Sequence, residues 1–463
     1  MSVSTRRKQN QSALIILIKR VHMLVGLFIG PFILIAAITG TLYVLSPQIE
    51  AKLYNEQLTT SSRGAFQSLE RQIVAARNSL EHPLVLKAVR PSTGEGKTTR
   101  VLFSDPTLDR YRLRTIFVDP VSLEIRGNLA SYGTSGALPF RIALDFMHSD
   151  LLLGALGRNY SELAASWMWV SAIGGTLLWW RNRASKAKPN KVRGKTTFVD
   201  YRYRHNILGL TILVGLIFFS ATGLTWSKWA GGHIAEWRLA LGWVTPSVSL
   251  ELDPTAKQVG GGQHAEHHMD MVSNQMVFPD NLYDDVESTA RNAGIDAAKI
   301  EIRPPGAPHK AWLVKEIDRS WPTQVDSVAI DASTMTIVSR ADFADFPLVA
   351  KLIRWGIDAH MGVLLGLPNQ LVLAAFGIAL VSLIVLGYAM WWKKRTKQYR
   401  VNDNLVYGFF SLSRSWRWGI LLFCVLLASQ LPLLGSSLLG FVVYDWMKWI
   451  KYRASGPFTV TTK

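Results

Sequence analysis

A chain of 463 residues that is 49% hydrophobic, with 17 tryptophans and a mean hydropathy of +0.15, is too apolar for an ordinary soluble basic protein, and its composition excludes intrinsic disorder. Its formal net charge of +18 favours a nucleic-acid partner only if the positive charge is spread over folded surface. A single cysteine, Cys424, excludes a disulfide framework, a cysteine-rich zinc site and an iron–sulfur cluster.

Apolar runs long enough to cross a bilayer predict six membrane-spanning helices. Four runs are separate, and a fifth block is too long for one span and is broken around Gln430–Gly435, which predicts a tight hairpin of two. The runs are about Val21–Leu45, Tyr160–Trp180, Asn206–Trp226, Asn369–Trp392 and Trp416–Ile450. The predicted fold class is an α-helical integral membrane protein with about six spans, a parallel internal repeat and two small α+β domains outside the membrane.

The positive charge indicates which segments face the cytoplasm. Residues 181–204 carry nine Lys/Arg against Asp200 alone, and further basic clusters precede the first span and follow the fourth. By the positive-inside rule these segments are cytoplasmic, so residues 46–147 and 228–359 lie outside. These two segments carry 13 Lys/Arg with 10 Asp/Glu and 12 with 18, a net charge of −3, so the rest of the chain carries +21. The basicity is therefore a topology signal, and no nucleic-acid partner is expected.

The chain repeats itself at two constant offsets, the first from His22 to His205 and the second from His148 to His360. Each half is a span, an outer domain, a histidine and a returning span, so both halves have the same orientation, as in parallel repeats related by an axis along the membrane normal. The matched positions are His22, Gly26 and Gly40 with His205, Gly209 and Gly223, then Asp119, His148 and Gly154 with Asp331, His360 and Gly366. The predicted division is 1–45 (N-terminus and first span), 46–147 (first outer domain), 148–180 (outer histidine and second span), 181–204 (basic loop), 205–227 (third span), 228–359 (second outer domain), 360–392 (outer histidine and fourth span), 393–415 (cytoplasmic loop) and 416–463 (C-terminal hairpin and tail).

Each outer domain is predicted to contain one helix followed by several strands. Asp119 and Asp331 each begin the turn of a hairpin, and we interpret them as turn formers and not as catalysts. The predicted helices are about Phe66–Asn78 and Asp284–Asn292, and the strands lie near Leu84–Ala88, Thr99–Phe103 and Thr115–Val118, then Lys299–Arg303, Ala311–Lys315 and Ser327–Ile330.

Four of the ten histidines occupy repeat-matched positions. His22 and His205 lie at the cytoplasmic ends of the first and third spans, and His148 and His360 lie on the outer side, before the second and fourth. Ionisable residues at membrane depth are expected to be functional. A two-fold axis pairs each histidine with its mate, and two neutral imidazoles are an axial ligand set for a b-type haem. The sequence therefore predicts two b-type haems, one near each face of the membrane.

Glycines at helical spacing share a face with two of these histidines. Gly26 and Gly40 lie on the His22 face of the first span. Gly209 and Gly223 do the same for His205, and such a stripe leaves the flat room that a porphyrin needs. The alternative is small-residue helix packing with interfacial histidines that bind nothing. We favour ligation because the pattern recurs in both halves.

A second candidate metal site is the loop that holds His264, His267 and His268 after a glycine-rich stretch. Iron or copper would suit these ligands. No strand or helix is predicted to fix their geometry, so a solvated loop is the favoured alternative.

The chain resembles the PepSY-associated transmembrane family, also called iron-regulated membrane proteins, whose members include periplasmic ferrisiderophore reductases of Gram-negative bacteria. The resemblance covers about residues 14–395 and rests on two His-x-x-x-Gly motifs, on two outer histidines each followed by Leu-Leu-Gly, and on terminal Trp-Trp pairs. It implies that the outer domains are PepSY domains in the periplasm. It also implies a haem-containing reductase of the bacterial inner membrane, with both termini cytoplasmic, that reduces ferric siderophore to Fe2+ for iron release and uptake.

The haems would supply the chemistry, so no catalytic side chain is predicted. Because no dinucleotide-binding fingerprint follows a strand, the expected electron donor is a quinol or a separate cytoplasmic reductase. Two alternatives stay open: a non-enzymatic PepSY membrane protein that binds or regulates a partner, and a permease for siderophore or haem. The permease is disfavoured because the apolar spans carry almost no acidic residues apart from Glu162 and Asp445.

Overall fold

A computed structural model describes residues 3–109, 112–183, 197–252, 279–394 and 404–454 of the chain. The chain divides into two compact units, which are described separately. The helical unit comprises Met1–Thr41, Phe146–Glu236 and Leu373–Lys463, and the sheet unit comprises Leu42–Asp145 and Trp237–Val372.

The helical unit is built from long apolar helices around a core that includes Leu24, Trp167 and Leu216. Some helices continue from one unit into the next along the chain. The helices that contribute to this unit are α1 (Val3–Phe28), α2 (Gly30–Leu53), α5 (Pro139–Asp150), α6 (Gly154–Asn182), α7 (Phe198–Thr211), α8 (Leu213–Thr225), α9 (Ala230–Ala240), α12 (Leu367–Lys394), α13 (Leu405–Phe410), α14 (Arg414–Gln430) and α15 (Pro432–Ala454).

Three helical segments in the described ranges are long and apolar enough to cross a membrane, Gln9–Phe28, Gly30–Leu53 and Leu367–Lys394. Helices α7 and α8 qualify together as a fourth, bent by 60° at their break. The predicted spans at Tyr160–Trp180 and Trp416–Ile450 are helical, with the expected hairpin break at Leu431, but they are not among these segments. The total of six spans therefore stays a prediction.

The predicted first span, Val21–Leu45, is divided between α1 and α2 by a break at Ile29. Pro31 has no N–H, so it cannot donate to the carbonyl of Leu27 four residues earlier. The hydroxyl of Tyr388 donates to that carbonyl instead, at 2.9 Å. The break between α7 and α8 lies at Ile212, which matches Ile29 at the same offset that relates His205 to His22. The repeat is thus visible in the helix breaks as well as in the motifs.

The C-terminal helices pack against the helices of the repeat. The carboxylate of Asp445 accepts hydrogen bonds from Arg20 Nε and from the backbone N–H of Leu405, and it is fully buried. Trp167 Nε1 donates to Ser437 Oγ at 2.8 Å. Helix α13 packs on α1, and α15 packs on α6. Asp445 therefore joins the C-terminal hairpin to the first helix.

Glu162, the other acidic residue in the predicted spans, has a structural role. Its carboxylate is fully buried and accepts the backbone N–H groups of Trp229 and Ala230, where α9 begins. An acidic group at a helix N-terminus satisfies donors that have no intrahelical partner. Both Glu162 and Asp445 therefore have partners within the chain.

The strands of both predicted outer domains form one eight-stranded antiparallel sheet. Two separate small sheets were expected, but β1 and β5 pair with each other, with Val89 opposite Ile302. The strand order is β4-β3-β2-β1-β5-β6-β7-β8, so the two halves are arranged symmetrically about the β1–β5 seam. The strands are β1 (Val85–Arg90), β2 (Thr99–Ser104), β3 (Arg112–Val118), β4 (Ile125–Tyr132), β5 (Ile300–Arg303), β6 (Trp312–Glu316), β7 (Ser327–Asp331) and β8 (Thr336–Ala341).

Two matched helices, α4 (Leu69–Asn78) and α10 (Leu282–Asn292), pack on one face of this sheet. They share one apolar core, in which Ile73, Tyr283 and Trp312 are almost fully buried. The carboxylate of Asp284 accepts the first N–H groups of α4, which fixes the two helices to each other. The other helices that contribute to the sheet unit are the C-terminal part of α2, α3 (Asn55–Leu58), most of α5, the C-terminal end of α9, α11 (Leu348–His360) and the first residues of α12.

Asp119 and Asp331 form turns, as predicted. Asp119 accepts hydrogen bonds from Ser62 Oγ and from the backbone N–H groups of Val121 and Ser122, and Asp331 accepts from the N–H and hydroxyl of Ser333. Burial alone would raise the pKa of Asp119, but these hydrogen bonds hold it well below its usual range. The carboxylate of Asp119 therefore stabilises the turn.

Candidate haem-binding site

His22 lies in the middle of the apolar part of α1 and is half-buried. Its Nδ1 donates to the backbone carbonyl of Ser171 on α6, at 3.1 Å. An imidazole whose Nδ1–H is bonded to a carbonyl presents a neutral Nε2, with its lone pair, as a metal ligand. Histidines that bind a metal usually donate their other ring N–H to a carbonyl or carboxylate in this way.

His205 lies on α7, two turns after a capping box in which Thr197 and Asp200 satisfy each other's backbone N–H groups. Its Nδ1 donates to the carbonyl of Leu383 on α12, also at 3.1 Å. Ser171 and Leu383 are separated in the sequence by the same offset as His148 and His360, so the two acceptors are repeat mates just as the two histidines are. Both imidazoles are therefore oriented by equivalent bonds from equivalent helices.

The rings of His22 and His205 lie together in the helical unit, with centroids 6.3 Å apart and planes at 82°. A metal–imidazole bond is about 2.0–2.1 Å long, so the two rings are close enough for one metal ion to bind both.

The number of ligands decides which groups the two imidazoles could hold. In the part of the chain that the structure describes, no group of three or more His, Cys, Asp or Glu side chains is placed to hold a metal. Two imidazoles are too few for a bare Zn2+ site, which takes four ligands. They suffice for a haem iron, because the porphyrin supplies the other four donor atoms.

A glycine flanks each of the two histidines on the neighbouring helix. A Cβ atom on Gly175 would lie 3.0 Å from Cε1 of His22, and one on Gly387 would lie 3.7 Å from Cε1 of His205. These two glycines are also repeat mates, with the same offset as their neighbours Ser171 and Leu383. They were missed in the sequence, although that offset would have matched them.

The four glycines predicted from the sequence have different surroundings. A Cβ on Gly26 would meet nothing within 4 Å, which agrees with open room beside His22. One on Gly209 would make ordinary contact with Leu383, and one on Gly223 would lie 3.2 Å from the Cβ of Ala165. Gly26 thus lies beside open space, while Gly209 and Gly223 fit the alternative of close helix packing.

His148, one of the two outer histidines, lies at the end of α5 and packs on the fourth glycine, Gly40 of α2. Its Nδ1 lies 3.0 Å from the carbonyl oxygen of Ala36 and 3.2 Å from Oγ1 of Thr39. A Cβ on Gly40 would lie 3.1 Å from its Cε1. The hydroxyl of Tyr160 donates to the carbonyl of His148 at 2.7 Å. Like His22, this histidine has its Nδ1 bonded to the backbone of another helix.

His360 is the last residue of α11 and is half-buried in the sheet unit. The next segment is fixed by the backbone N–H groups of Val363 and Leu364, which both donate to the carbonyl of Asp358. The predicted pair His148–His360 takes one residue from each unit and stays a prediction. The loop that contains His264, His267 and His268 lies outside the described residues.

The model of one protein family, the PepSY-associated TM region, matches residues 19–394. The chain belongs to the PepSY-associated TM family. The match includes all four predicted haem ligands of this PepSY-associated TM protein and ends at the last residue of α12, so α13–α15 lie beyond it. No curated protein matches the chain.

Proposed function

We propose that this PepSY-associated TM protein is a di-haem reductase of the bacterial inner membrane that passes electrons to ferric siderophore in the periplasm. The observation that supports it most is the pairing of His22 with His205, each with its Nδ1 bonded to a repeat-matched carbonyl. We assign one b-type haem to this pair and a second to His148 and His360. A bound haem supplies one-electron transfer at its iron.

The residues of the chain would hold and orient these cofactors. The carbonyls of Ser171 and Leu383 keep each Nδ1 protonated, which would leave each Nε2 free to bind iron, and such a hydrogen bond would raise the basicity of the imidazole as a ligand. The ring of His22 is confined between this bond and Gly175. This confinement would fix the orientation of the His22 ring toward a bound group.

The charge asymmetry gives the proposed path a direction. By the positive-inside rule, the basic loops would lie on the cytoplasmic side, as would His22 and His205, and the two outer segments, with a combined net charge of −3, would lie in the periplasm. One electron reduces each Fe3+ to Fe2+, and hard oxygen ligands hold the less charged Fe2+ more weakly. A quinol or a cytoplasmic reductase remains the proposed donor.

The test is reduction across a membrane. Purified protein is placed in vesicles that contain a reductant, with ferric siderophore and a coloured Fe2+ chelator outside. We expect wild-type vesicles to form the Fe2+ complex, and His205→Ala vesicles to form it only at the rate of protein-free vesicles. Equal rates for His205→Ala and wild type would contradict the proposal and favour a non-enzymatic PepSY protein. Entry of intact ferric siderophore into the vesicles would favour a permease.

A further inference from the structure

The face of the sheet opposite α4 and α10 carries buried arginines. Val89 and Val101 belong to the core beneath the two helices, and side chains alternate along a strand. Arg90 and Arg100 therefore point to the other face, where they lie directly opposite each other in the β1–β2 pair. Like charges in this position repel each other.

The loop that follows β4 holds these two arginines side by side. Arg90 Nη2 donates to the carbonyl of Gly133 at 2.9 Å, and Arg100 Nη1 donates to that of Gly136 at 3.2 Å. A Cβ on Gly136 would lie 2.5 Å from Nη1 of Arg90 and 2.6 Å from Nη1 of Arg100. Burial and the neighbouring Arg90 lower the pKa of Arg100 to about 10. The two guanidinium groups thus form a concentrated positive charge.

Carboxylates only partly balance this charge. Arg90 is paired with Glu301, but Glu301 is shared with Arg303. Among the described residues Arg100 forms no ion pair with a carboxylate. The carboxylate of Glu50 interacts electrostatically with both Arg100 and Arg141, and it also accepts the backbone N–H of Leu138 at 2.6 Å.

Arg141, in the first turn of α5, is the least satisfied member of this cluster. It is 7% exposed, and its guanidinium carbon lies 4.7 Å from the centre of the Tyr43 ring. Its Nε and Nη2 atoms are buried and have no hydrogen-bond partner in the described part of the chain. A buried charged donor without a partner is costly, so its retention needs a reason.

Other arginines of this protein show what that edge of the guanidinium binds. Arg20, Arg90 and Arg319 are also buried, and each presents Nε and Nη2 to one carboxylate, of Asp445, Glu301 and Asp358 respectively. The geometry is the side-on arginine–carboxylate pair. The same edge of Arg141 lacks such a partner within the described residues.

We propose that Arg141, supported by the positive charge of Arg100, binds a carboxylate group of a ligand. Two sources share this chemistry: the propionates of a bound porphyrin and the carboxylates of an acidic metal chelate. The choice between these sources rests on the proposed function, whereas the arginine site itself rests on the geometry of the sheet unit.

The first test compares stability with binding in the full-length, ligand-free protein in detergent. Because Arg141→Gln removes a buried charge without a partner, we expect its melting temperature to equal or exceed that of wild type. The matched control, Arg90→Gln, breaks the pair with Glu301 and should melt at a lower temperature. A melting temperature of Arg141→Gln as low as that of Arg90→Gln would overturn the proposal, because it would show that Arg141 already has an internal partner.

The second test separates the two sources of the carboxylate. Iron protoporphyrin IX and its dimethyl ester, which lacks free carboxylates, are titrated into wild type and Arg141→Gln. If propionates bind Arg141, wild type prefers the free acid by about tenfold or more and Arg141→Gln loses that preference. If the source is an acidic chelate, equilibrium dialysis with redox-inert gallium(III) citrate shows binding to wild type and loss in Arg141→Gln. An unchanged acid-to-ester ratio together with unchanged gallium binding would overturn the proposal. Failure of wild type to bind either porphyrin would refute the proposed di-haem function alone, since the gallium measurement still tests the arginine site.

Discussion

Gly175→Ala should weaken the inner haem site without a change in either ligand. The new Cβ would lie 3.0 Å from Cε1 of His22, whereas carbon atoms in good contact are about 3.5–4.0 Å apart, so the ring must move by roughly 0.5 Å. The ring is not free to move, because its Nδ1 is bonded to Ser171 on the same helix as Gly175. Overpacking of this kind costs about 1–3 kcal/mol, which corresponds to about 5- to 150-fold weaker haem binding at this site.

The repeat supplies the control for this variant. Gly387→Ala puts a Cβ 3.7 Å from Cε1 of His205, an ordinary contact, and should leave binding unchanged. Gly40→Ala puts a Cβ 3.1 Å from Cε1 of His148 and should weaken the other haem. The assay is titration of haem into ligand-free protein, with the two haems resolved by redox potential. Wild-type affinity in both Gly175→Ala and Gly40→Ala, or loss of the same haem in both, would refute this reasoning.

Three further predictions concern charges that are buried on folding. Glu301→Gln removes the fully buried carboxylate shared by Arg90 and Arg303, and it should lower the free energy of unfolding by about 3–5 kcal/mol, measured by denaturant unfolding in detergent. Burial would raise the pKa of Glu301, but these arginines hold it far below its usual value. The contribution of Glu301 to the stability of the fold should therefore be complete above about pH 4.3 and fall as the medium is acidified. The stability of Glu301→Gln should depend less on acid pH. Asp445→Leu removes the carboxylate that pairs with the buried Arg20 and should lower the melting temperature. The double variant Arg20→Met/Asp445→Leu should recover most of the loss, and equal melting of the single and double variants would count against a buried pair.

Local signals in the sequence located the elements of the outer segments well. Strand periodicity and the turn aspartates Asp119 and Asp331 act over a few residues, and the structure has strands and hairpins close to the predicted positions. The pairing of β1 with β5 was not predicted, because it joins Val89 to a strand in the other half of the repeat. No local pattern specifies such a contact, and two separate domains were the simpler expectation.

The sequence contains a signal for the first helix break. Gly30-Pro31 lies inside the predicted first span, and a proline in a helix frees a carbonyl four residues earlier. The sequence therefore predicts that the carbonyl of Leu27 is free to accept a hydrogen bond, but it does not predict that Tyr388 is the donor. The matched break at Ile212 is expected from the repeat alone, because no proline lies near it in the sequence.

The proximity of His22 and His205 follows from two-fold symmetry, which the sequence repeat made visible. The acceptors of their Nδ1 atoms could not be identified by residue type, because Ser171 and Leu383 act through backbone carbonyls that every residue carries. The lack of a hydrogen-bond partner for Nε and Nη2 of Arg141 among the described residues could not be predicted either, because it depends on which carboxylates folding brings near.

The most direct test of the di-haem proposal is the haem content of the purified protein. A reduced-minus-oxidised spectrum with a haem-to-protein ratio should show two b-type haems per chain, and His205→Ala should lose the inner haem while keeping the one assigned to His148 and His360. A colourless protein after expression with ample haem, or a His205→Ala variant that retains both haems, would contradict it.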